Sequence, residues 1–263
     1  MSTEPQPAIT LAGRRRWIAL VFIALGVAMI ILDATVVNVA IPSMVRDLGM
    51  TTNDAEWVNA AYSLTFASLL ILAGRVADRS GRRLIYVIGI AGFVLASVLV
   101  AISGSAIEVI GARALQGVGA ALILPSSLSI LNSIFTGRSR AIAFAVWGAT
   151  IGGMAALGPL VGGWLTTYAT WHWAFLINVP IGIIVLIGIF AVVPETKDTG
   201  GRRGIDLPGT VLVTLGLLGV VFALIEGQRY GWLVQVKEFT AGSLVWPVGT
   251  VSIVLVAGGI GVV

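Results

Sequence analysis

Cysteine is absent from the chain and histidine occurs once. The first absence excludes disulfides and thiolate metal sites, and the second leaves no imidazole cluster for a metal. Charge is scarce as well: Asp, Glu, Lys and Arg make up 11% of the 263 residues, against about 25% in a soluble domain. Apolar side chains fill the difference, with 57% hydrophobic residues and a mean hydropathy of +1.01. Such a composition is that of a polytopic membrane protein. No nucleophile-base pair stands out, so the chain is not expected to be an enzyme or to need a cofactor. The net charge of +4 reports orientation, since the spans exclude a soluble nucleic-acid binder.

Uncharged or nearly uncharged runs divide the sequence into eight candidate spans, at about 17–41, 57–74, 84–103, 107–133, 141–167, 173–193, 207–226 and 241–263. Each is near the roughly 20 residues that a helix rising ~1.5 Å per residue needs to cross ~30 Å of hydrocarbon. The expected fold class is all-α, because open sheet edges cannot be satisfied in lipid and alternating barrel strands are missing. The polar amino terminus ends in Arg14, Arg15 and Arg16, and no small-residue cleavage site follows the first apolar run, so that span is read as uncleaved.

The connecting segments sort by side. Twelve basic residues (Arg14, Arg15, Arg16, Arg75, Arg79, Arg82, Arg83, Arg138, Arg140, Lys197, Arg202 and Arg203) fall on one side, three (Arg46, Arg229 and Lys237) on the other. The positive-inside rule places the Arg-rich side and the amino terminus in the cytoplasm, with the chain in the cell inner membrane. The expected organisation is a cytoplasmic segment 1–16, a six-helix lobe 17–193 made of two three-helix units, a Gly-rich charged linker 194–206, and two further helices in 207–263. The last run ends GGIGVV without a basic flank. A truncated chain is expected, lacking most of a carboxy-terminal lobe.

Asp33 is the only ionisable side chain between Trp17 and Val45, and a carboxylate inside a span is by default a functional hypothesis. A structural acid, snorkelling outward or bonded within its own lobe, is the plainer alternative. Arg113 and Asp33 lie at comparable depths, about 9 and ~13 Å below the outer boundary, so they could face one central cavity. A fourth span beginning at Ala114 would instead leave Arg113 at the outer interface. The loop GRVADRSGRR, Gly74 to Arg83, carries turn glycines, a potential capping acid in Asp78, and Arg79, Arg82 and Arg83. Span five holds Gly148, Gly152, Gly153, Gly158, Gly162 and Gly163; Gly158 and Gly162 have the spacing that permits close helix contact, and Pro159 cannot donate to the helical ladder. Generic packing explains these glycines as well as function does. Asn38, Asn59, Tyr62 and Gln116 are candidates for lining a substrate cavity, and Asn178 is weighed with them; interhelical hydrogen bonding is open for each. His172 reads as an interfacial residue and Glu226 as a solvated helix end.

Four segments, in order, carry a resemblance. The loop Gly74 to Arg83 resembles the G-x-x-x-D-R-x-G-R-R signature of the major facilitator superfamily. LDATVVNVAIP in span one resembles a motif of that superfamily's fourteen-span drug:proton antiporter branch, the EmrB/QacA type; RALQGVGAA at Arg113 to Ala121 resembles the superfamily's Arg-containing motif of helix four, and GGMAALGPLVGG at Gly152 to Gly163 the antiporter motif of helix five. WHWAFLINVPIG at Trp171 to Gly182 and EGQRYGW at Glu226 to Trp232 extend the likeness over nearly the whole chain; His172 departs from it, standing where many relatives have Arg. The resemblance implies proton-coupled efflux by alternating access, with Asp33 and Arg113 in proton coupling, the Gly74 to Arg83 loop as a cytoplasmic gate, and Gly152 to Gly163 sealing the path. The implied partners are protons, the lipid bilayer and an apolar or cationic small molecule. An uptake symporter on the same fold, or a non-transporting sensor or scaffold, are the alternatives.

Overall fold

The computed structural model describes residues 13–196, 207–231, 236, 239–241 and 244–246. Among them, helices follow one another as α1 (Arg14–Leu48), α2 (Thr52–Ser80), α3 (Arg82–Ile102), α4 (Ala106–Ile134), α5 (Gly137–Tyr168), α6 (His172–Leu176), α7 (Asn178–Val192) and α8 (Leu207–Tyr230). Six segments, counting α6 and α7 as one, are long and apolar enough to cross a bilayer. The protein is therefore a multi-pass, all-α membrane protein.

The helices run beyond most of the expected spans because charged residues at their ends stay helical in the interface, where water and headgroups solvate them. The sixth span is broken at Ile177, between α6 and α7. Pro180 has no N–H to give to the Leu176 carbonyl, so one rung of the helical ladder is missing across this break. The eighth span is corrected where it is described: Phe239–Ala241 and Leu244–Trp246 form a two-stranded antiparallel pair, β1 and β2, with Ala241 opposite Leu244. The two residues between these partners are Gly and Ser in the sequence, a turn-favouring pair that counting apolar residues overlooks. The remainder of that span, and most of the linker, lie outside the described residues.

Helix ends are set locally. Gly49 takes a left-handed conformation at φ 61° to close α1, its N–H donating to the Val45 carbonyl. Thr51 and Asp54 cap α2 reciprocally: the Thr51 hydroxyl and N–H donate to Asp54 Oδ2 at 2.7 and 2.9 Å, and the Asp54 N–H donates to Thr51 Oγ1 at 3.2 Å. The Thr51 hydroxyl, then its N–H, hold the Asp54 carboxyl below its ordinary value of 3.8.

Packing follows a pattern of exchange. α1 packs on α5 and α7, and α4 packs on α2 and α3. Interchanging the first three spans with the next three turns the α1–α5 contact into α4–α2 and the α4–α3 contact into α1–α7, the pairing of two interlocked three-helix units. α8 lies against α2, with Trp57 and Phe222 ring centroids 6.2 Å apart. Two apolar clusters fill the bundle. One holds Ile23, Met29, Tyr86, Phe93, Ile123 and Val185; the other holds Val36, Met44, Val58, Val100, Val109 and Phe175.

Candidate functional site

Between those clusters lies a polar layer. Along α1, Asp33 falls between Met29 of the first cluster and Val36 of the second; along α3, Ser97 falls between Phe93 and Val100. Arg113 and Gln116 from α4 and Asn178 from the start of α7 complete it. All five side chains are buried.

The hydrogen bonds close on one carboxylate. Arg113 Nη1 donates to Asp33 Oδ2 at 2.6 Å and to Gln116 Oε1 at 2.8 Å, while Arg113 Nε donates to the Val58 carbonyl of α2 at 3.1 Å. Asp33 Oδ1 accepts from Gln116 Nε2 at 3.1 Å and from Asn178 Nδ2 at 2.7 Å. Ser97 Oγ accepts from Gln116 Nε2 at 2.8 Å and Asn178 Nδ2 at 3.1 Å, and donates to the Phe93 carbonyl at 2.8 Å. The Arg113 guanidinium also sits 4.3 Å from the Tyr62 ring centroid, a cation-π contact that stabilises it out of water. Three donors, the guanidinium among them, reach the two carboxylate oxygens. Losing the charge removes the attraction to Arg113 and leaves these donors poorly matched.

The structure thus brings together Asp33, Arg113 and Gln116 and places Tyr62 beside them, and of the two expectations for Asp33 it has the acid bonded within its own lobe. Asp33 is 1% exposed and Arg113 and Gln116 are 0% exposed, so they lie inside the helix bundle and not on the wall of an open cavity. The reason is electrostatic: a charge pair surrounded by fixed donors is tolerated in a low-dielectric interior, whereas a lone one is not. The same burial removes the alternative of Arg113 at the outer interface. Asn38 and Asn59 sit apart from the layer, as an exposed pair with Asn59 Nδ2 donating to Asn38 Oδ1 at 2.8 Å, joining α1 to α2. Ser97 and the Val58 carbonyl went unread in the sequence, because a serine in a helix ordinarily bonds its own backbone and a carbonyl carries no signature.

The segment Gly74 to Arg83, expected as a loop with turn glycines at Gly74 and Gly81, is helical except at Gly81, and it has a partner the sequence did not single out. Glu195, just past α7, accepts from the Arg83 N–H at 3.1 Å and the Leu84 N–H at 3.0 Å, capping α3 from a distant part of the chain. Arg83 Nη1 donates to the Val193 carbonyl at 3.0 Å, and the Arg82 N–H donates to the Thr196 carbonyl at 3.0 Å. Gly81 has φ 125°, and a Cβ there would stand 2.8 Å from Glu195, so only glycine fits the turn. Asp78, in the last turn of α2, faces the start of α3 and pairs with Arg82 Nε at 2.9 Å. Arg79 is exposed, and a Cβ on Gly74 would make only ordinary contact with Pro125.

The α5 glycines divide. A Cβ on Gly158 would strike the Thr35 side chain, and one on Gly162 would lie 3.1 Å from the Val36 carbonyl oxygen, so these two set the approach of α5 to α1. Gly152, Gly153 and Gly163 have open space where a Cβ would go, and Pro159 is exposed within the helix. His172 stacks on Trp171 with ring centroids 3.9 Å apart.

Comparison with known proteins places this arrangement. The chain is 45% identical over 83% of its length to the puromycin resistance protein pur8 of Streptomyces alboniger, covering 43% of that protein. It is 42% identical over 86% of its length to the methylenomycin A resistance protein of Bacillus subtilis, covering 48% of it, and 34% identical over 86% to the tetracenomycin C resistance and export protein of Streptomyces glaucescens, covering 42%. The chain spans less than half the length of these relatives. Among solved structures, a peptide transporter POT superposes with a TM-score of 0.63 at 16% identity, over 85% of this chain and 54% of that one. The human organic anion transporter MFSD10 does so with 0.63 at 17%, over 80% and 56%; at such identities the likeness is one of fold. The family model matches residues 23–262, and the chain belongs to the Major Facilitator Superfamily, a family of transporters and not of enzymes.

Proposed function

We propose that the protein acts in proton-coupled efflux of apolar or cationic small molecules, as a member of the fourteen-span drug:proton antiporter branch with its amino terminus in the cytoplasm. The observation that carries the reading is the Asp33–Arg113 pair, 2.6 Å apart at the centre of a buried polar layer. Resistance and export functions in the names of the relatives support the outward direction and the substrate class. The bias of twelve basic residues against three supports the orientation.

The mechanism follows from charge. With Asp33 ionised, α1 is tied to α4 through Arg113 and to α7 through Asn178. A proton on Asp33 cancels the attraction to Arg113, loosens α1 against α4, and changes which side of the membrane the lobe opens to. A second lobe, against which this one rocks, completes the path. The drug favours the conformation that the ionised carboxylate stabilises, so drug and proton exclude each other and exchange results. No cofactor is needed, because the proton gradient supplies the free energy. In this scheme the loop from Gly74 to Arg83, fastened by Glu195, acts as the cytoplasmic gate, and the α5 face at Gly152, Gly153 and Gly163 helps seal the path.

The test uses the full-length protein in proteoliposomes with an imposed pH gradient and ethidium as the probe cation. Asp33→Asn is expected to abolish gradient-driven movement while ethidium counterflow persists, showing that the variant is folded. Full gradient-driven movement in Asp33→Asn contradicts the proposal.

A further inference from the structure

We infer that Asn178 is the positioning residue that sets how readily Asp33 takes a proton, and that its carboxamide reverses when the proton arrives. The inference rests on Asp33 being the proton site proposed above, and it assigns to α7 a part in reading that site.

The argument is a count of donors and acceptors. The Ser97 hydroxyl spends its hydrogen on the Phe93 carbonyl, so it faces Asn178 and Gln116 as an acceptor. Arg113 Nη1 holds Gln116 Oε1, which fixes Gln116 Nε2 toward Asp33 and Ser97. Turning the Gln116 amide over would set its Nε2 against Arg113 Nη1, donor against donor. Asn178 is the exception. Nδ2 points to Asp33 Oδ1 at 2.7 Å and Ser97 Oγ at 3.1 Å, while Asn178 Oδ1 is buried with no partner among the described residues. Of the two amides on Asp33 Oδ1, this is the one whose oxygen has no hydrogen-bond partner among the described residues.

The two charge states of Asp33 ask opposite things of that amide. An ionised Oδ1 requires a donor and repels the Asn178 oxygen. A protonated Oδ1 presents its own hydrogen and needs an acceptor, which Asn178 Oδ1 supplies after half a turn about Cβ–Cγ, with the Ser97 hydroxyl swinging its hydrogen from the Phe93 carbonyl to the same oxygen. The step adds one proton to Asp33 Oδ1 and breaks no bond between heavy atoms. Asn178 is the first residue of α7, directly after the interruption at Ile177, where a change of hydrogen bonding meets a helix boundary. The titratable groups facing the carboxylate are Arg113 from α4 and, beneath its guanidinium, Tyr62 from α2. α3 and α7 contribute the neutral Ser97 and Asn178, and the residues α5 buries are Ala143, Gly158, Gly162 and Leu165.

Infrared difference spectra of the protein in lipid nanodiscs, recorded across pH, test this directly. The C=O stretch of the protonated carboxyl reads Asp33, and Asp33→Asn assigns it. Asn178→Leu deprives the ionised carboxylate of a donor, so the band should appear about one pH unit higher than in the unaltered protein. Ser97→Ala, which removes the acceptor that orients Nδ2, should shift it the same way by less. Ser126→Ala, a buried hydroxyl outside the layer, should leave it in place. The unaltered protein should also show an asparagine amide C=O change on protonation that Asn178→Leu removes. An unmoved band in both Asn178→Leu and Ser97→Ala overturns the role of Asn178 while leaving Asp33 as the proton site; if Asn178→Leu does not fold, Ser97→Ala decides alone. An unaltered protein with no Asp33-dependent band overturns the proton site itself.

Discussion

Arg113 Nη1 stands 2.6 Å from Asp33 Oδ2, with neither side chain exposed to solvent. A pair so placed is costly to break and cheaper to remove. Asp33→Asn or Arg113→Met alone strands a buried charge, and each should cost about 3–5 kcal/mol of stability. The double variant should cost less than the sum of the two. A double-mutant cycle read by chemical unfolding in detergent measures the coupling, and strict additivity would show that the pair does not interact.

The glycines of α5 should separate by position. Gly158→Val drives a branched side chain into Thr35 and should cost about 1–3 kcal/mol, with loss of the α1–α5 contact. Gly153→Val, in open space, should leave the fold intact and, if the sealing role of that face is right, impair transport. Thermal stability and efflux measured on the same two variants check both statements.

At the loop end, Glu195→Gln keeps the shape and removes the charge that caps α3. A loss of about 1 kcal/mol is expected, seen as faster hydrogen exchange at Arg83 and Leu84, whose N–H groups the carboxylate holds. Unchanged exchange at these amides would mean the cap contributes nothing.

Acid should loosen the start of α2. Asp54 is held below 3.8 by the Thr51 hydroxyl and N–H, so its ionised form is the one the folded state favours. That stabilisation is present above the unfolded carboxyl value and is lost as pH falls through the lower folded one. Hydrogen exchange of the first α2 turn should rise below about pH 4, and Thr51→Ala should raise it already at neutral pH and flatten the acid response.

Much of the fold was legible because hydrophobic runs between charged loops have one stable form in lipid. Six membrane-length helices among the described residues match spans read in this way, and Asp33, Arg113 and Gln116 stand out as polar groups in apolar helices. What could not be read was rotation. α1 and α4 are apolar nearly all round, so no stripe says which side faces the bundle, and the sequence leaves open whether the acid and arginine face a cavity or bond within their own lobe. The capping of α3 by Glu195 joins residues far apart in sequence, and no local pattern signals it. Likewise Gly158 and Gly153 belong to one motif, yet only contact with Thr35 tells them apart. The eighth span was misread at its start because a Gly-Ser turn signal was outweighed by the count of apolar residues.

The central claim is that drug and proton compete through Asp33. Its most direct measurement is proton release on drug binding: ethidium added to the purified full-length protein in weakly buffered detergent solution, with pH followed by an indicator dye. The unaltered protein should release protons as ethidium binds, and Asp33→Asn should bind ethidium and release none. Equal release from both proteins would contradict the account.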